Sequence, residues 1–363
     1  MSKKNNILVA ASGTGGHIFP ALAVARQLKK DWNINWLGVK QRLDANLVPT
    51  EYKLSTVNIK TPKKNIFILL QYFRILMSTF KIIKILKAKK INLVFTTGGY
   101  ISAPTIIAAK LVKIPVIMHE SNLIPGMVTK YFGFLCDYVF IGFRETNYYL
   151  KNCKTIFTGT PLREQFYKSN PLPEWVPKGE GPLLVVMGGS QGAKKINQII
   201  YGSLDFLLKK NFRIVHIVGS YERDTIEIPS FKNYVQKKFI HEIAALIQNC
   251  DLVISRSGAC TINELIHTEK PSILIPYSHS KNNHQEKNAL ILAEIGGSIL
   301  INENTISKEF FEETLKRIFK LKLKNGILMH ERLNQMKNNM KNTHKTKSKN
   351  DIRKLINYFL KEF

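Results

Sequence analysis

The sequence predicts an α/β protein built from two doubly wound, parallel-sheet domains. Short apolar runs that end in glycine-rich turns occur in both halves of the chain, and apolar residues at helical spacing follow them. Continuous β-branched runs separated by helices are typical of parallel strands that are covered on both faces. The length of 363 residues also exceeds what one core usually fills, which favours two domains.

Three of the strands predicted in the first half have counterparts later in the chain, and two of these three end in glycine turns. The strands are the apolar runs at residues 7–11, 93–97 and 114–118, and the turns contain Gly13, Gly15, Gly16, Gly98 and Gly99. Apolar residues at helical spacing follow the first turn between Ala21 and Leu28, so this segment predicts strand, turn and helix.

The second half repeats this organisation. Its predicted strands are at residues 183–187, 252–255 and 271–275, and its turns contain Gly188, Gly189, Gly192 and Gly258. Five prolines between positions 161 and 182 predict a linker, which gives domains at residues 1–160 and 161–342. In such folds ligands lie beyond the carboxyl ends of the strands, so we expect an interdomain cleft lined by these turns.

The composition favours a basic protein of the cytoplasm. The formal charge of +28 makes a polyanionic partner one expectation, and a general bias towards lysine is the other. Only five apolar residues follow the N-terminal lysines before the first turn, which is too short for a secretion signal. The stretch 91–109 has no charged residue and no histidine, but it contains Asn92, Gly98, Gly99 and Pro104, and it therefore predicts strand, turn and helix rather than a membrane span.

The motifs argue against several common ligand classes. A dinucleotide fingerprint would need a third glycine where the chain has Ile18, and no Gly-Lys dipeptide occurs that could form a Walker phosphate loop. His119-Glu120 lacks the second histidine of a zinc hydrolase, the four cysteines match no zinc pattern, and no two of the seven aspartates lie two residues apart. We therefore expect no cofactor and no metal.

The glycine turns that precede helices predict an anion site in each domain. A helix N-terminus offers free N–H groups and the positive end of a dipole, which suit a diphosphate. The alternative is that these glycines serve packing alone, as they do in many doubly wound folds.

Six motifs, taken in order, carry a resemblance to a known family. They are Gly13-Thr14-Gly15-Gly16-His17, Thr97-Gly98-Gly99-Tyr100, His119-Glu120-Ser121-Asn122, Gly188-Gly189-Ser190-Gln191-Gly192-Ala193, Arg256-Ser257-Gly258-Ala259 and His284-Gln285. Their order and spacing resemble the MurG family of bacterial peptidoglycan glycosyltransferases. The resemblance implies the GT-B architecture, two Rossmann-like domains that face a cleft, with a C-terminal helix at about residues 343–363 joining the first domain.

The resemblance also implies a reaction and its substrates. Members of the family move N-acetylglucosamine (GlcNAc) from UDP-GlcNAc to the C4 hydroxyl of N-acetylmuramic acid in undecaprenyl-diphospho-N-acetylmuramoyl-pentapeptide. This step converts lipid I to lipid II, inverts the anomeric carbon and needs no metal. The residues that the resemblance implies for binding UDP-GlcNAc are Thr14, Gly15, Gly16, Asn122, Arg163, Ser190, Ile240, Glu264, His284 and Gln285.

These residues divide by the part of the donor that each would contact. Ser190 matches the diphosphate contact, and Glu264 matches the acid that accepts both ribose hydroxyls. The uracil contacts are Arg163 and Ile240, and the contacts to the sugar are Asn122, His284 and Gln285.

The attacking hydroxyl of the acceptor needs a base. His17 follows the first glycine turn, and an imidazole suits proton removal at neutral pH. A structural or phosphate-binding role for His17 is the alternative, and His119 and Glu120 are the alternative bases. We therefore expect His17 and Glu120 among the catalytic residues.

A basic, acid-free segment predicts a membrane-docking surface. Between Glu51 and Glu120 there is no acidic residue, and twelve Lys or Arg are interleaved with apolar runs. The polar stripe of this segment consists of Gln71, Arg74, Ser78, Lys81 and Lys84. We expect residues 60–90 to hold the protein peripherally on an anionic membrane, at the cytoplasmic face of the bacterial plasma (inner) membrane. A fully buried crossover helix is the alternative.

Three other functions stay open at this point. A UDP-GlcNAc 2-epimerase would share the donor site but need no lipid-docking face, and a transferase acting on diacylglycerol would use another acceptor. Nucleic-acid binding is suggested by the charge and by the C-terminal lysines, but these form a tail rather than a groove studded with aromatic residues. We expect no nucleic-acid partner.

Overall fold

A computed structural model describes residues 4–13, 15–39, 48–59, 68–189, 192–219, 231–324, 327–341 and 348–359. The chain divides into two compact units. Unit 1 comprises Met1–Arg163 with Thr346–Phe363, and unit 2 comprises Glu164–Lys345.

Unit 1 contains a parallel sheet of seven strands in the order β3-β2-β1-β4-β5-β6-β7. The strands are β1 (Asn5–Ala10), β2 (Trp32–Val39), β3 (Lys53–Val57), β4 (Leu93–Thr96), β5 (Val116–Glu120), β6 (Tyr138–Ile141) and β7 (Thr155–Phe157). The strand order reverses beside β1, which pairs with β2 on one side and with β4 on the other. The carboxyl ends of β1 and β4 therefore meet at the topological switch point, where doubly wound folds bind ligands.

In the described part of unit 1, four helices follow strands of this sheet. They are α1 (Gly15–Leu28), α2 (Ile68–Ala88), α3 (Ser102–Leu111) and α4 (Met127–Phe132). Because side chains alternate along a strand, Ile7 packs in one core layer with residues of α1, and Leu8 packs in the other with residues of α2 and α3. From Ile7 onward both faces of β1 are thus buried, which explains the uninterrupted apolar run from Ile7 to Ala10.

Unit 2 contains a parallel sheet of six strands in the order β10-β9-β8-β11-β12-β13 and a separate antiparallel pair, β14 and β15. The strands are β8 (Leu183–Met187), β9 (Arg213–Ile217), β10 (Tyr234–Lys237), β11 (Leu252–Ser255), β12 (Ser272–Leu274), β13 (Ser298–Leu300), β14 (Leu321–Lys324) and β15 (Ile327–His330). The helices are α5 (Lys194–Gly202), α6 (Leu204–Lys209), α7 (Ile243–Asn249), α8 (Ala259–Thr268), α9 (His284–Glu294), α10 (Lys308–Ile318) and α11 (Glu331–Lys341). The switch point here lies between β8 and β11.

The last helix, α12 (Ser348–Phe359), belongs to unit 1. Its Ile352 and Ile356 side chains are fully buried in the core layer of α1. Arg353 donates from Nε and Nη2 to the two carboxylate oxygens of Asp31 at 2.8 and 2.9 Å, and Asn357 donates to Asp31 at 3.0 Å. Hydrogen bonds from Asn357 and then Arg353 outweigh burial and hold the pKa of Asp31 below its usual value.

The predicted α/β fold with two parallel sheets is confirmed. The uncharged stretch at 91–109 forms β4, a glycine turn and most of α3, as predicted. Across the described parts of the chain, no helix is both long enough and apolar enough to cross a membrane.

Candidate functional site

The first glycine turn and the turn after β4 meet around His17 in unit 1. His17 Nδ1 lies 2.7 Å from the carbonyl oxygen of Thr97, and Thr97 Oγ1 donates to the carbonyl oxygen of His17 at 2.8 Å. A carbonyl oxygen can only accept, so Nδ1 is the donor, and in the neutral imidazole Nε2 carries the lone pair. The two turns thus orient the imidazole so that Nε2, and not Nδ1, is left to accept a proton.

Gly99 lets the turn after β4 pass close to this ring. Its φ is +78°, in the left-handed region, and a Cβ atom there would lie 3.6 Å from His17 Cδ2. Gly15 and Gly16 begin α1, and His17 is the third residue of that helix. Thr14, which the sequence assigns to the same turn, lies outside the described residues.

His119 is fully buried at the end of β5, and both ring nitrogens are engaged. Nε2 lies 2.9 Å from the carbonyl oxygen of Gly159, and Nδ1 lies 3.3 Å from Ser121 Oγ. Burial lowers the pKa of His119 to about 4, although Gly159 and Glu120 act in the opposite direction. His119 is therefore neutral at neutral pH and fastens β5 to the segment at Gly159, which argues against the alternative in which it is the base.

Glu120 ends β5 with its carboxylate turned into the next loop, and it is 4% exposed. Its oxygens accept hydrogen bonds from Asn122, Gly126 and Thr129. The sequence assigns Glu120 to catalysis and Asn122 to the donor sugar. The structure brings these two residues into direct contact.

Arg163 ends the first of the two chain segments of unit 1, and its guanidinium lies over the ring of Phe19 on α1, 4.9 Å from the ring centroid. This cation–π contact places the guanidinium beside the N-terminal part of α1.

The glycine turn of unit 2 follows β8 and leads into α5. Gly192 N donates to Gly189 O at 3.1 Å, and Gly192 has a φ of +83°. A Cβ atom on Gly192 would lie 2.4 Å from the carbonyl oxygen of Val218, so no side chain fits at this position. Ser190, which the sequence assigns to the diphosphate, lies outside the described residues.

Three predicted donor contacts lie on helices that follow other strands of unit 2. Glu264 is in α8 after β11 and is 4% exposed. His284 and Gln285 begin α9, and Ser257 Oγ donates to the carbonyl oxygen of Gln285 at 2.7 Å. Ile240 follows β10 and is half-buried.

An ion pair between Arg256 and Glu303 fixes the loop before α9. Arg256 Nη1 donates to the carbonyl oxygens of Ile275 and Pro276 at 3.0 and 3.1 Å, and Nη2 pairs with Glu303. The side chains of Arg256 and Glu303 are 12% and 11% exposed. Glu303 also accepts from Ser278 N at 2.9 Å.

That loop in turn positions Gln285. The backbone N–H of Tyr277 donates to Gln285 Oε1 at 3.0 Å. The ion pair therefore holds the loop that orients the amide of Gln285.

Sequence reasoning assigned no role to Thr97, Thr129 or Glu303. Thr97 belongs to one of the six motifs, and the adjacent glycines Gly98 and Gly99 indicate a turn that could contact His17. Thr129 and Glu303 belong to no motif, and only the fold reveals their partners. In the described part of the chain, no group of three or more His, Cys, Asp or Glu side chains could hold a metal ion.

Comparison with known proteins identifies two family domains. The N-terminal domain of glycosyltransferase family 28 matches residues 7–141, and the C-terminal domain of that family matches residues 183–355.

Individual relatives match over the whole length. A protein of Prochlorococcus marinus strain AS9601, named UDP-N-acetylglucosamine–N-acetylmuramyl-(pentapeptide) pyrophosphoryl-undecaprenol N-acetylglucosamine transferase, is 73% identical over 363 residues, 100% of both chains. A protein of the same name from strain MIT 9312 is 74% identical over the same span. The crystal structure of Acinetobacter baumannii MurG has a TM-score of 0.75 and 23% identity, and the match covers 98% of this chain and 100% of that one. At 23% identity, the similarity to this crystal structure shows a shared fold and nothing further.

Proposed function

Because this chain belongs to glycosyltransferase family 28, and within it to the MurG family of its relatives, we propose that it transfers GlcNAc from UDP-GlcNAc to undecaprenyl-pyrophosphoryl-N-acetylmuramyl-(pentapeptide). The transfer forms lipid II from lipid I in peptidoglycan synthesis. The enzyme is a hexosyltransferase. We assign both substrates because they are the ones that the names of its relatives state.

The single observation that carries the mechanism is the tautomer of His17. With Nδ1 donating to Thr97 O, Nε2 is the nitrogen that accepts a proton. The C4 hydroxyl of N-acetylmuramic acid attacks C1 of GlcNAc and gives its proton to Nε2, while the bond from C1 to the diphosphate oxygen breaks and UDP leaves. Attack opposite to the leaving group inverts the anomeric carbon.

The departing diphosphate gains negative charge, which the glycine turn before α5 is suited to stabilise. N–H groups at a helix N-terminus can stabilise such charge by about 1 to 2 kcal/mol through the dipole, and pre-oriented donors add more. We assign Ser190 to this contact from its motif. The mechanism needs no metal ion.

The remaining donor contacts are assigned residue by residue. Glu264 accepts both ribose hydroxyls, because a carboxylate offers two acceptor oxygens. Arg163 and Ile240 contact the uracil, and His284 and Gln285 contact the sugar. Asn122 contacts the sugar from unit 1, and Thr14, Gly15 and Gly16 complete the set.

Exposed apolar side chains in unit 1 support peripheral binding to an anionic membrane. Leu76, Met77 and Phe80 on α2 are 51%, 53% and 54% exposed. Helices α2, α3 and α4 contact one another in sequence, and further exposed apolar residues lie on or beside α3 and α4: Leu111, Met127, Tyr131 and Phe134.

Basic side chains continue this surface. Met77 and Phe80 are followed at helical spacing by Lys84 and Lys87, both exposed. Such a face combines apolar insertion with attraction to anionic lipid, and we place it on the cytoplasmic leaflet of the bacterial inner membrane.

Two expectations about this segment change with the structure. Ser78 is 7% exposed and so is not part of the polar stripe, and the described part of α2 is not the fully buried helix of the alternative. Lys60, Lys63, Lys64 and Phe67 lie outside the described residues.

The function is tested by incubating purified protein with radiolabelled UDP-GlcNAc and a lipid I analogue. We expect label in the lipid-linked product only when the acceptor is present. Acceptor-independent formation of UDP-N-acetylmannosamine would instead identify a 2-epimerase. Labelled diacylglycerol, in a parallel reaction with that lipid, would identify the other transferase.

A further inference from the structure

The carboxylate of Glu120 is saturated with hydrogen bonds from its own unit. Oε1 accepts from the backbone N–H of Asn122 at 3.0 Å and from its Nδ2 at 3.1 Å. Oε2 accepts from Gly126 N at 2.9 Å and from Thr129 Oγ1 at 2.6 Å. A carboxylate has about four lone-pair sites, so these four donors use its whole capacity.

This count bears directly on catalysis. A general base must take a hydroxyl proton at hydrogen-bond distance, and Glu120 could do so only by giving up one of its four present donors. We propose that Glu120 is a positioning residue that holds the loop of Asn122, and not a base. The proposal rests on the proposed function, in which Asn122 contacts the donor sugar, and it gives Glu120 a role different from the catalytic one that the sequence analysis expects.

The two hydrogen bonds from Asn122 to Glu120 fix both the backbone and the side chain of Asn122. Because a carboxylate only accepts, the amide nitrogen of Asn122 faces Glu120 and the orientation of the amide is set. Thr146 Oγ1 donates to the carbonyl oxygen of Asn122 at 3.2 Å, which adds another point of attachment. Asn122 is thus presented in one orientation to any ligand that it contacts.

The other carboxylate oxygen connects this loop to the start of α4. Gly126 is the residue before α4, and Thr129 lies in its first turn and is 1% exposed. Thr129 Oγ1 lies 3.9 Å from the position that a Cβ atom on Gly98 would occupy, beside the turn that holds His17. Glu120 therefore links the loop of Asn122 to α4, and Thr129 on α4 lies beside the turn after β4 that contacts His17.

The test is Thr129→Val, which removes one donor to Glu120 and keeps the shape of a buried side chain. The matched control is Thr105→Val on α3, a fully buried threonine whose hydroxyl donates to Ile101 O at 2.7 Å instead of to Glu120. Glu120→Gln is the second variant. For each we would measure KM for UDP-GlcNAc, kcat as a function of pH, UDP-GlcNAc affinity by calorimetry, and the melting temperature.

We expect Thr129→Val and Glu120→Gln each to raise KM and weaken UDP-GlcNAc binding by about tenfold, the usual effect of losing a hydrogen bond to a charged group. The pH at which kcat is half-maximal should stay that of the parent, because the base is unchanged. The double variant should be no worse than Glu120→Gln alone, since both changes disrupt one network. Thr105→Val should match the parent.

Two results would overturn the proposal. One is a fall in kcat of about 10²-fold or more in Glu120→Gln, the range of a lost general base, with Thr129→Val like the parent. The other is a Thr129→Val variant indistinguishable from Thr105→Val in KM and affinity, a comparison that holds even if Glu120→Gln does not fold. A parent protein that transfers no GlcNAc would refute the proposed function instead, so the two failures are distinguishable.

Discussion

Replacing Leu76, Met77 and Phe80 by serine should release the protein from anionic vesicles while leaving it folded. Each of these side chains is more than half exposed, so its loss removes little from the core. Complete burial of such a side chain contributes about 1.5 to 3 kcal/mol, and the exposed half of each would therefore contribute about 1 kcal/mol on entering the membrane interface. The triple change should cost about 3 kcal/mol, or about 100-fold in the partition coefficient.

The assay is co-sedimentation with vesicles of anionic and of neutral lipid, at low and high salt. Lys84 and Lys87 should add about 1 kcal/mol each on the anionic vesicles at low salt, and this part should vanish at high salt. The loss caused by the serine variant should persist at high salt, because it comes from apolar burial.

Phe310→Ser supplies the control, since Phe310 in unit 2 is 53% exposed and Phe80 is 54% exposed. The control should sediment like the parent. If the triple variant also sediments like the parent, or if circular dichroism shows that it is unfolded, this face of α2 is not the docking surface.

Four further outcomes follow from the site. His17→Ala should lower kcat by about 10²-fold or more with nearly unchanged UDP affinity, and equal losses in both would indicate a binding role. Glu264→Ala should weaken UDP binding by about 1 to 3 kcal/mol in calorimetry, and unchanged affinity would mean that the ribose lies elsewhere. Transfer should persist in excess EDTA, whereas complete loss restored by magnesium would contradict a metal-free mechanism. Burial raises the pKa of Glu303, but hydrogen bonds from Arg256 and Ser278 leave it below the usual 4.5. The pair therefore stabilises the fold above that pH and loses this effect as the pH falls through the lowered pKa. Glu303→Gln should lower the free energy of unfolding by about 3 kcal/mol at neutral pH. In urea titrations, the free energy of unfolding of this variant should depend less on pH on the acid side than that of the parent.

The fold could be predicted because buried parallel strands leave a strong signal. A strand covered on both faces is apolar throughout, and the predicted run at 183–187 coincides with β8. The short edge strand β7 has only three residues, all half-buried, so its sequence carries no comparable pattern. Its position follows from pairing with β6 and not from its own composition.

The site could be predicted only where its residues adjoin glycine turns. His17 and Gly99 belong to such motifs, and the structure brings them together at the switch point of unit 1. Gly126 and Thr129 lie six and nine residues after Glu120 and hold its carboxylate through loop contacts. Contacts of this kind have no period along the chain, so no pattern in the sequence distinguishes a saturated carboxylate from a catalytic one.

The central claim is tested most directly by the structure of the reaction product. Purified protein, UDP-GlcNAc and a lipid I analogue should yield a disaccharide whose NMR spectrum shows GlcNAc C1 joined to the C4 oxygen of N-acetylmuramic acid, in the configuration opposite to that of the donor. A product with retained configuration, a linkage to any other oxygen, or recovery of the acceptor unchanged would contradict the account.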